Sequence, residues 1–306
     1  CIRDSKITDL LVTNKPLPFY NEVNKIAGNI GSTQSQGVEI TLNTVNIVTK
    51  DFEWDTTLTL SHYNDRWLKR DPNWKPRAYE KEDDPIRAWW EYEAIGILQP
   101  GEKAPDAQKD LVPGMMKLKD RDGNGVLGDE DKVYMGNGDP KIIYGLNNSF
   151  RYKNFDLNAF FVYAGGNKLR NSVFKMDDQL GTQTLKGIAN RWTADDSNAQ
   201  VRMYLDIPAQ VKTYASTFQD WWQYGDINVK DAGYVKLRSL SVGYNLPFTV
   251  CQHLRLSSLK VKVQVNNLFT WCKAGSDIDP ESYGMNDGTR GIASPKTYSI
   301  GLSTSF

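Results

Sequence analysis

The most regular feature of the chain is an alternation of apolar and polar residues that recurs in many short segments. GVEITLNTVNIV (37–48), for example, sets Val38, Ile40 and Leu42 among polar neighbours, and FEWDTTLTLSHY (52–63) repeats the pattern after a tight gap. A period of two over such lengths, with turn residues between the segments, predicts antiparallel β-strands.

The connections between the predicted strands are either very short or very long. Eight strands are predicted at 3–13, 37–49, 52–66, 141–152, 155–164, 233–246, 259–271 and 296–306. Short gaps at 50–51, 153–154 and 247–258 alternate with long gaps at 14–36, 67–140, 165–232 and 273–295. Compact domains seldom contain structureless loops beyond about 15 residues. Outer-membrane barrels, by contrast, combine short turns at one end with long loops at the other, and their strands have about the length found here.

We therefore predict an all-β fold, an antiparallel transmembrane β-barrel portion of eight strands with long extracellular loops. The closing segment TYSIGLSTSF agrees with this fold, because its larger residues alternate with small polar ones. We interpret these residues as an assembly signal on the final strand: Tyr298, Ile300, Leu302, Thr304 and Phe306. Taken alone, the segment is equally compatible with the edge strand of a soluble sandwich.

Composition excludes two classes of protein. The 37 basic and 37 acidic residues balance, whereas a nucleic-acid-binding protein would show a basic excess. Mean hydropathy is −0.54, and no stretch approaches the ~18 apolar residues of a membrane-spanning helix.

Only three cysteines occur, which is too few for a disulfide framework. Cys251 and Cys272 fall at opposite ends of a predicted strand, so we expect them not to be bonded.

The segment DRDGNGVLGDED (120–131) has the spacing of a calcium-binding loop. Carboxylate, amide and backbone oxygens recur at the ligand positions, and Gly125 occupies the position of the sharp turn. The candidate ligands are Asp120, Asp122, Asn124, the Val126 carbonyl and Asp131. Asp131 replaces the usual Glu, which shortens the last ligand. A surface turn without an ion is the alternative.

Two pairs of tryptophans lie in the longest predicted loops, Trp89–Trp90 in 67–140 and Trp221–Trp222 in 165–232. Sugar rings stack on aromatic side chains, so these four residues are candidates for ligand binding. Local packing within the loops and contact with a partner protein remain open alternatives.

Catalysis has little support in the sequence. The two histidines, His62 and His253, fall at opposite ends of the predicted strands, and no nucleophile motif or phosphate-binding loop occurs. We expect the chain not to be an enzyme.

Several stretches, in this order, resemble the C-terminal part of the SusC/RagA family of TonB-dependent outer-membrane transporters. They are KITDLLV (6–12), NIGSTQSQGVEITLN (29–43), DRDGNGVLGDEDKVYMGNGDPKIIYGLNNSFRYKNFDLNAFF (120–161), NRWTADDSN (190–198), VKDAGYVKLRSLSVGYNLP (229–247), VQVNNLFTW (263–271) and TYSIGLSTSF (297–306). Together they extend over nearly all of the chain.

The resemblance implies a barrel of about 22 strands around a plug, of which residues 1–306 would supply the last eight. It also implies an outer-membrane location in a Gram-negative bacterium and import of oligosaccharides or peptides. A SusD-like surface lipoprotein and TonB, the latter acting through an N-terminal part, are the implied partners. Because the plug and TonB box are not among these residues, we expect the chain to be a portion of a transporter.

Two other functions remain open at this stage. One is a glycan-binding or adhesin-like surface protein with a calcium-stiffened loop, and the other is a soluble all-β enzyme.

Overall fold

The computed structural model describes residues 2–16, 25–72, 74–170, 192–193, 225–226, 229–275, 279–282 and 293–305. The strands in these residues are β1 (Ile2–Pro16), β2 (Lys25–Val48), β3 (Phe52–Lys69), β4 (Ala88–Tyr92), β5 (Ala94–Ile97), β6 (Met116–Leu118), β7 (Lys132–Asn137), β8 (Ile142–Tyr152), β9 (Phe155–Gly165), β10 (Lys168–Arg170), β11 (Val229–Asp231), β12 (Tyr234–Asn245), β13 (Ser258–Cys272) and β14 (Thr297–Ser305).

Eight of these strands form one open antiparallel sheet in the order β1-β2-β3-β8-β9-β12-β13-β14. They are the eight strands that the alternation predicts, so the all-β fold class is confirmed. The connections 49–51, 153–154 and 246–257 lie at one end of the sheet, which we call the short-connection end. The opposite end carries 70–141, 166–233 and 273–296, and we call it the long-connection end.

The predicted gap at 14–36 is wrong, because β1 and β2 continue as one long hairpin with only residues 17–24 between them. The first half of β2 lacks apolar alternation, so hydrophobicity alone does not reveal it. Polar cross-strand contacts support it instead. The amide groups of Gln34 and Gln36 each donate to the Asp4 carboxylate at 3.2 Å, and the Arg66 guanidinium on β3 donates to Gln34.

Helical structure is scarce in the described residues. A short helix, α1 (Phe248–His253), follows Pro247 in the connection between β12 and β13. No helix in the described part of the chain is both long enough and apolar enough to cross a membrane.

One face of the large sheet is apolar from strand to strand, and we call it the apolar face. Residues directly opposite each other on paired strands form a continuous row across it: Leu42, Leu58, Leu146, Phe161, Leu237 and Phe269. Much of this face stays exposed, with 51% of Leu42, 78% of Ile300 and 72% of Leu302 accessible. In the described residues, therefore, no second layer covers these side chains.

Aromatic pairs mark both ends of the apolar face. Trp54–Phe150 and Phe155–Tyr244 lie near the short-connection end with ring centroids 5.6 and 4.5 Å apart, and Tyr144–Tyr163 lies toward the other end at 5.5 Å. Aromatic girdles at both borders of an apolar band are typical of barrels in lipid.

The opposite face is polar, and we call it the polar face. Ion pairs link strands across it. Glu53 pairs with Arg151 on the adjacent strand, and Asp156 on β9 reaches over β12 to Lys260 on β13 at 2.6 Å. Gly243 lies between Asp156 and Lys260, and a Cβ there would come within 2.6 Å of both side chains. Its lack of a side chain therefore leaves room for this contact.

Buried apolar packing is concentrated in the segment 70–141 rather than behind the sheet. Strands β4 and β7 pair, as do β5 and β6. The buried cluster consists of Tyr92, Ile97, Met116 and Leu118 from this segment, together with Trp192 from the connection 166–233. We call this folded segment the β3–β8 insert.

Candidate functional site

The candidate calcium loop lies in the β3–β8 insert and brings three carboxylates together. Oxygen atoms of Asp120, Asp122 and Asp131, one from each, all lie within 4.8 Å of one another. Gly123 and Gly125 adopt positive φ angles of 72° and 78°, which fold the chain back around Asp120. Their N–H groups donate to the two oxygens of Asp120 at 2.7 and 2.8 Å. The Gly125 N–H is the main cause of a lowered pKa at Asp120.

Asp131 closes the loop from a fully buried position. It ends a short 3-10 helix, Asp129–Asp131, and accepts hydrogen bonds from the N–H groups of Arg121 at 2.6 Å and Gly128 at 2.8 Å. The short Asp side chain thus reaches the other two carboxylates despite replacing Glu. A cluster of carboxylate oxygens is the donor set that Ca²⁺ prefers.

The other two predicted ligands lie in the same turn. The Asn124 side chain donates to Asp122 at 2.8 Å, while its oxygen accepts from the Val126 N–H at 2.7 Å. The structure therefore brings all four predicted ligand side chains, those of Asp120, Asp122, Asn124 and Asp131, into one loop. Coordination by the Val126 carbonyl stays a prediction.

Trp89 and Trp90 lie on β4 and are half-buried. The Trp90 ring packs against Tyr79 at 5.4 Å and against Tyr134 at 5.3 Å, which is local packing within the insert. Trp221 and Trp222 lie outside the described residues. Ligand binding by these four tryptophans stays a prediction.

The predicted assembly residues share one face of β14. Tyr298, Ile300 and Leu302 lie opposite Val265, Val263 and Val261 of β13 and are at least 70% exposed. Thr304 continues the same face, and Phe306 lies outside the described residues. These residues extend the apolar face to the edge of the sheet.

A buried ion cluster at the long-connection end was missed by sequence reasoning. The Lys236 side chain is only 1% exposed, and its ammonium lies 2.7 Å from Glu281 and 3.4 Å from Asp279. Arg238 also binds Glu281, and the Tyr234 hydroxyl donates to it at 2.8 Å. The cluster fastens the segment 279–282 to β12. The available signal was the pair of cations at alternate positions of a strand, in VKLRS.

Hydrogen bonds hold both carboxylates of this cluster ionised. Burial alone would raise the pKa of Asp279, but the N–H groups of Ser294 and Glu281 outweigh it and lower the pKa. At Glu281 the effect of burial is likewise outweighed by donors, led by Lys236 and Tyr234, so that its pKa is also lowered.

The remaining candidates are separate from one another. His62 bonds the Lys141 carbonyl at 3.0 Å on β3, and His253 bonds the Thr249 carbonyl at 2.7 Å within α1. Cys251 lies in α1 and Cys272 at the far end of β13, and both are free thiols, as predicted.

Comparison with known proteins identifies relatives for almost the whole chain. It is 27% identical to TonB-dependent receptor P3 of Formosa agariphila over 98% of its length, which is 31% of that receptor. It is also 27% identical to TonB-dependent receptor SusC of Bacteroides thetaiotaomicron over 49% of its length and 16% of SusC. Receptor P3 matches almost the whole chain, and the chain spans about a third of the length of that receptor. No protein-family model matches it.

The fold is shared with a solved transporter. A chain of the RagAB peptide transporter superposes with a TM-score of 0.75 at 20% identity, over 99% of this chain and 32% of that one. The named relatives are receptors and transporters rather than enzymes. These findings confirm the resemblance indicated by the motifs: the chain is similar to the C-terminal β-barrel portion of the SusC/RagA TonB-dependent transporters.

Proposed function

We propose that this chain forms part of the wall and outer mouth of a TonB-dependent importer in the outer membrane of a Gram-negative bacterium. The observation that carries the proposal is the division of the eight-stranded sheet into an exposed apolar face and a charged polar face. A sheet with this division suits a barrel wall between lipid and a polar passage. The relatives named above support the same interpretation.

In this proposal the imported substrates are oligosaccharides or peptides, and a SusD-like surface lipoprotein closes the mouth of the barrel. One named relative is a peptide transporter, which supports the peptide class, whereas the oligosaccharide class follows from the resemblance of the motifs to the SusC/RagA family. TonB supplies the energy through the N-terminal part of the transporter. The chain's own role is passive, as wall and binding surface, and it carries out no catalysis.

Uptake by cells tests this function. Cells lacking the gene that encodes this chain should lose energised uptake of a fluorescent oligosaccharide or peptide, and the intact gene should restore it. Collapse of the proton gradient should abolish uptake as completely as the deletion. Unchanged uptake of every oligosaccharide and peptide on which the wild-type cells grow would contradict the proposal.

We also propose that the loop 120–131 binds calcium and thereby stiffens the β3–β8 insert. Three carboxylates within 4.8 Å repel one another strongly, and a divalent cation would relieve that repulsion. The charged groups next to the loop do not perform this role, because Arg121 pairs with Glu93 and Lys132 with Asp129. Asp120, Asp122 and Asp131 would hold the ion.

The calcium loop alone would also suit a glycan-binding or adhesin-like surface protein. The exposed apolar face discriminates between the two functions, because a surface-binding protein held outside the membrane would cover it with a second layer. We therefore favour the importer.

A further inference from the structure

The outward side of strands β1 to β3 changes from apolar to polar near the long-connection end. The last largely apolar row across these strands and β8 consists of Ile2, Val38, His62 and Ile142. Because side chains alternate along a strand, the next rows on the same side are formed by every second residue beyond this row. They contain the residues that we call the outer polar patch: Asp4, Lys6, Gln34, Gln36, Arg66 and Lys69.

The β3–β8 insert covers only the other side of these strands. Asp65 lies on the polar face, and its carboxylate accepts a hydrogen bond from the Asn137 amide of the insert at 3.0 Å. Arg66, the next residue, lies on the outward side and is exposed, as is Lys69. In the described residues, the insert thus leaves the outward side of the strands open.

Hydrogen bonds order the outer polar patch, and its net charge is positive. The amide groups of Gln34 and Gln36 both donate to the Asp4 carboxylate at 3.2 Å, and the Arg66 guanidinium donates to the Gln34 amide oxygen at 3.0 Å. Three cations and one carboxylate leave a net charge of plus two. The patch is therefore complementary to an anion.

The height of the rows above the apolar face limits the kind of anion that they meet. Successive rows on one side are about 6.6 Å apart along a strand, which is about 5 Å in height at a strand tilt of about 40°. Lys6 and Arg66 lie in the second row beyond the last apolar row, and Lys69 lies in the third. These cations are thus about 10–15 Å above the apolar face, whereas phospholipid headgroups extend only about 5–8 Å beyond the hydrocarbon core. A headgroup that reaches all three cations must be larger than that of a phospholipid.

We propose that the outer polar patch binds the phosphorylated sugar headgroup of a glycolipid in the outer leaflet of the membrane. Ammonium and guanidinium groups form charge-assisted hydrogen bonds with phosphate, and the amides of Gln34 and Gln36 are suited to sugar hydroxyls. Continuity with the apolar face supports this partner, because the acyl chains of the same lipid would lie against Val38 and Ile40. The proposal rests on the membrane placement proposed above and goes beyond it by assigning a lipid to this part of the wall.

The decisive variant replaces the three cations of the patch with glutamine, as Lys6→Gln, Arg66→Gln and Lys69→Gln together. All three residues are exposed, so the variant should fold, and the heat-dependent gel shift of folded barrels checks this. Arg66→Gln alone is the milder variant if the triple variant does not fold. The matched control removes three exposed cations at the short-connection end, as Lys50→Gln, Lys153→Gln and Arg255→Gln.

Binding should be measured by native mass spectrometry of the complete protein, extracted from outer membranes and washed free of glycolipid. The probes are diphosphorylated lipid A, lipid A without its phosphates, and phosphatidylglycerol. Wild type and control should bind diphosphorylated lipid A more tightly than either of the other lipids. A cation near an anionic lipid surface contributes roughly fivefold in affinity, so Arg66→Gln should bind about fivefold more weakly and the triple variant on the order of a hundredfold more weakly.

Four results would overturn the glycolipid site. They are no binding of diphosphorylated lipid A by wild type, equal weakening in the patch variants and the control, equal affinity for lipid A with and without phosphates, and equal affinity for phosphatidylglycerol. If energised uptake remains intact alongside any of them, only the glycolipid site is wrong. Absence of energised uptake in the wild type would instead contradict the importer function.

Discussion

The Lys236 ammonium and the Glu281 carboxylate, 45 positions apart in the chain, form a 2.7 Å ion pair that is closed to solvent on the lysine side. Lys236 is the third residue of β12, so the pair joins the beginning of this strand to the segment 279–282. Asp279 and Arg238 complete the cluster, so that two cations face two carboxylates. A long connection is thereby fixed against the polar face at the mouth of the proposed passage.

Removing the buried ammonium of Lys236 should lower the free energy of unfolding. Lys236→Met keeps the stem of the side chain but leaves Asp279 and Glu281 without their shared partner, and the loss of one member of a buried pair typically costs about 3–5 kcal/mol. Lys260→Met is the control, because the Lys260–Asp156 pair is half-exposed and should be worth about 1 kcal/mol or less. The free energy of unfolding of both variants is measured by urea titration, with the folded fraction read from the heat-dependent gel shift of folded barrels. Equal effects would contradict a structural role of the cluster.

The same cluster predicts a pH dependence. Because the pKa values of Asp279 and Glu281 are lowered in the folded chain, their stabilisation is present in full above the ordinary carboxylate pKa. It is lost as the pH falls through the lowered values, in the range beneath about 4. The difference in melting temperature between wild type and Asp279→Asn should therefore be largest at neutral pH and vanish in acid. A difference that does not change with pH would contradict this.

Gly37 should be intolerant of a side chain. A Cβ atom there would lie 2.5 Å from the His62 carbonyl oxygen and 2.8 Å from Tyr63 Cβ on the adjacent strand. Gly37→Ala should force β2 and β3 apart and destabilise the sheet by about 1–3 kcal/mol. Gly301→Ala on β14 is the control, because its Cβ would meet nothing within 4 Å. The yield of folded protein in outer membranes should be lower for Gly37→Ala than for Gly301→Ala. Equal yields would contradict the close approach of β2 and β3 at Gly37.

The calcium proposal has its own test. Terbium luminescence should rise on binding to wild type, be displaced by calcium, and be lost in Asp122→Ala, which removes one of the three clustered carboxylates. Asp110→Ala, an exposed carboxylate in the same insert, should leave binding unchanged. The absence of a luminescent site in wild type would end the proposal.

The fold was largely predictable from sequence, because a one-sided apolar face imposes a period of two on every strand that forms it. Val38, Ile40 and Leu42 show this pattern plainly, and the predicted strand begins with them. The polar first half of β2 was missed, since its pairing with β1 depends on contacts such as Gln34 with Asp4 that leave no hydrophobic signature.

The candidate sites were only partly predictable. The calcium-type loop is contiguous, so its spacing alone brings Asp120, Asp122 and Asp131 into one motif. The Lys236–Glu281 pair instead unites segments far apart in sequence. Which loop folds onto which strand end is decided by tertiary packing, and no local pattern encodes it.

The central claim is that the apolar face of the sheet meets lipid while the other face lines a polar passage. Nitroxide labels introduced one at a time at consecutive positions of β14, from Tyr298 to Thr304, test it most directly in the protein reconstituted into lipid bilayers. We predict that oxygen, which concentrates in lipid, relaxes labels at Tyr298, Ile300, Leu302 and Thr304. A water-soluble nickel complex should relax the labels between them. Equal access of the nickel complex at all seven positions, or burial of the even-numbered ones from both reagents, would contradict the account.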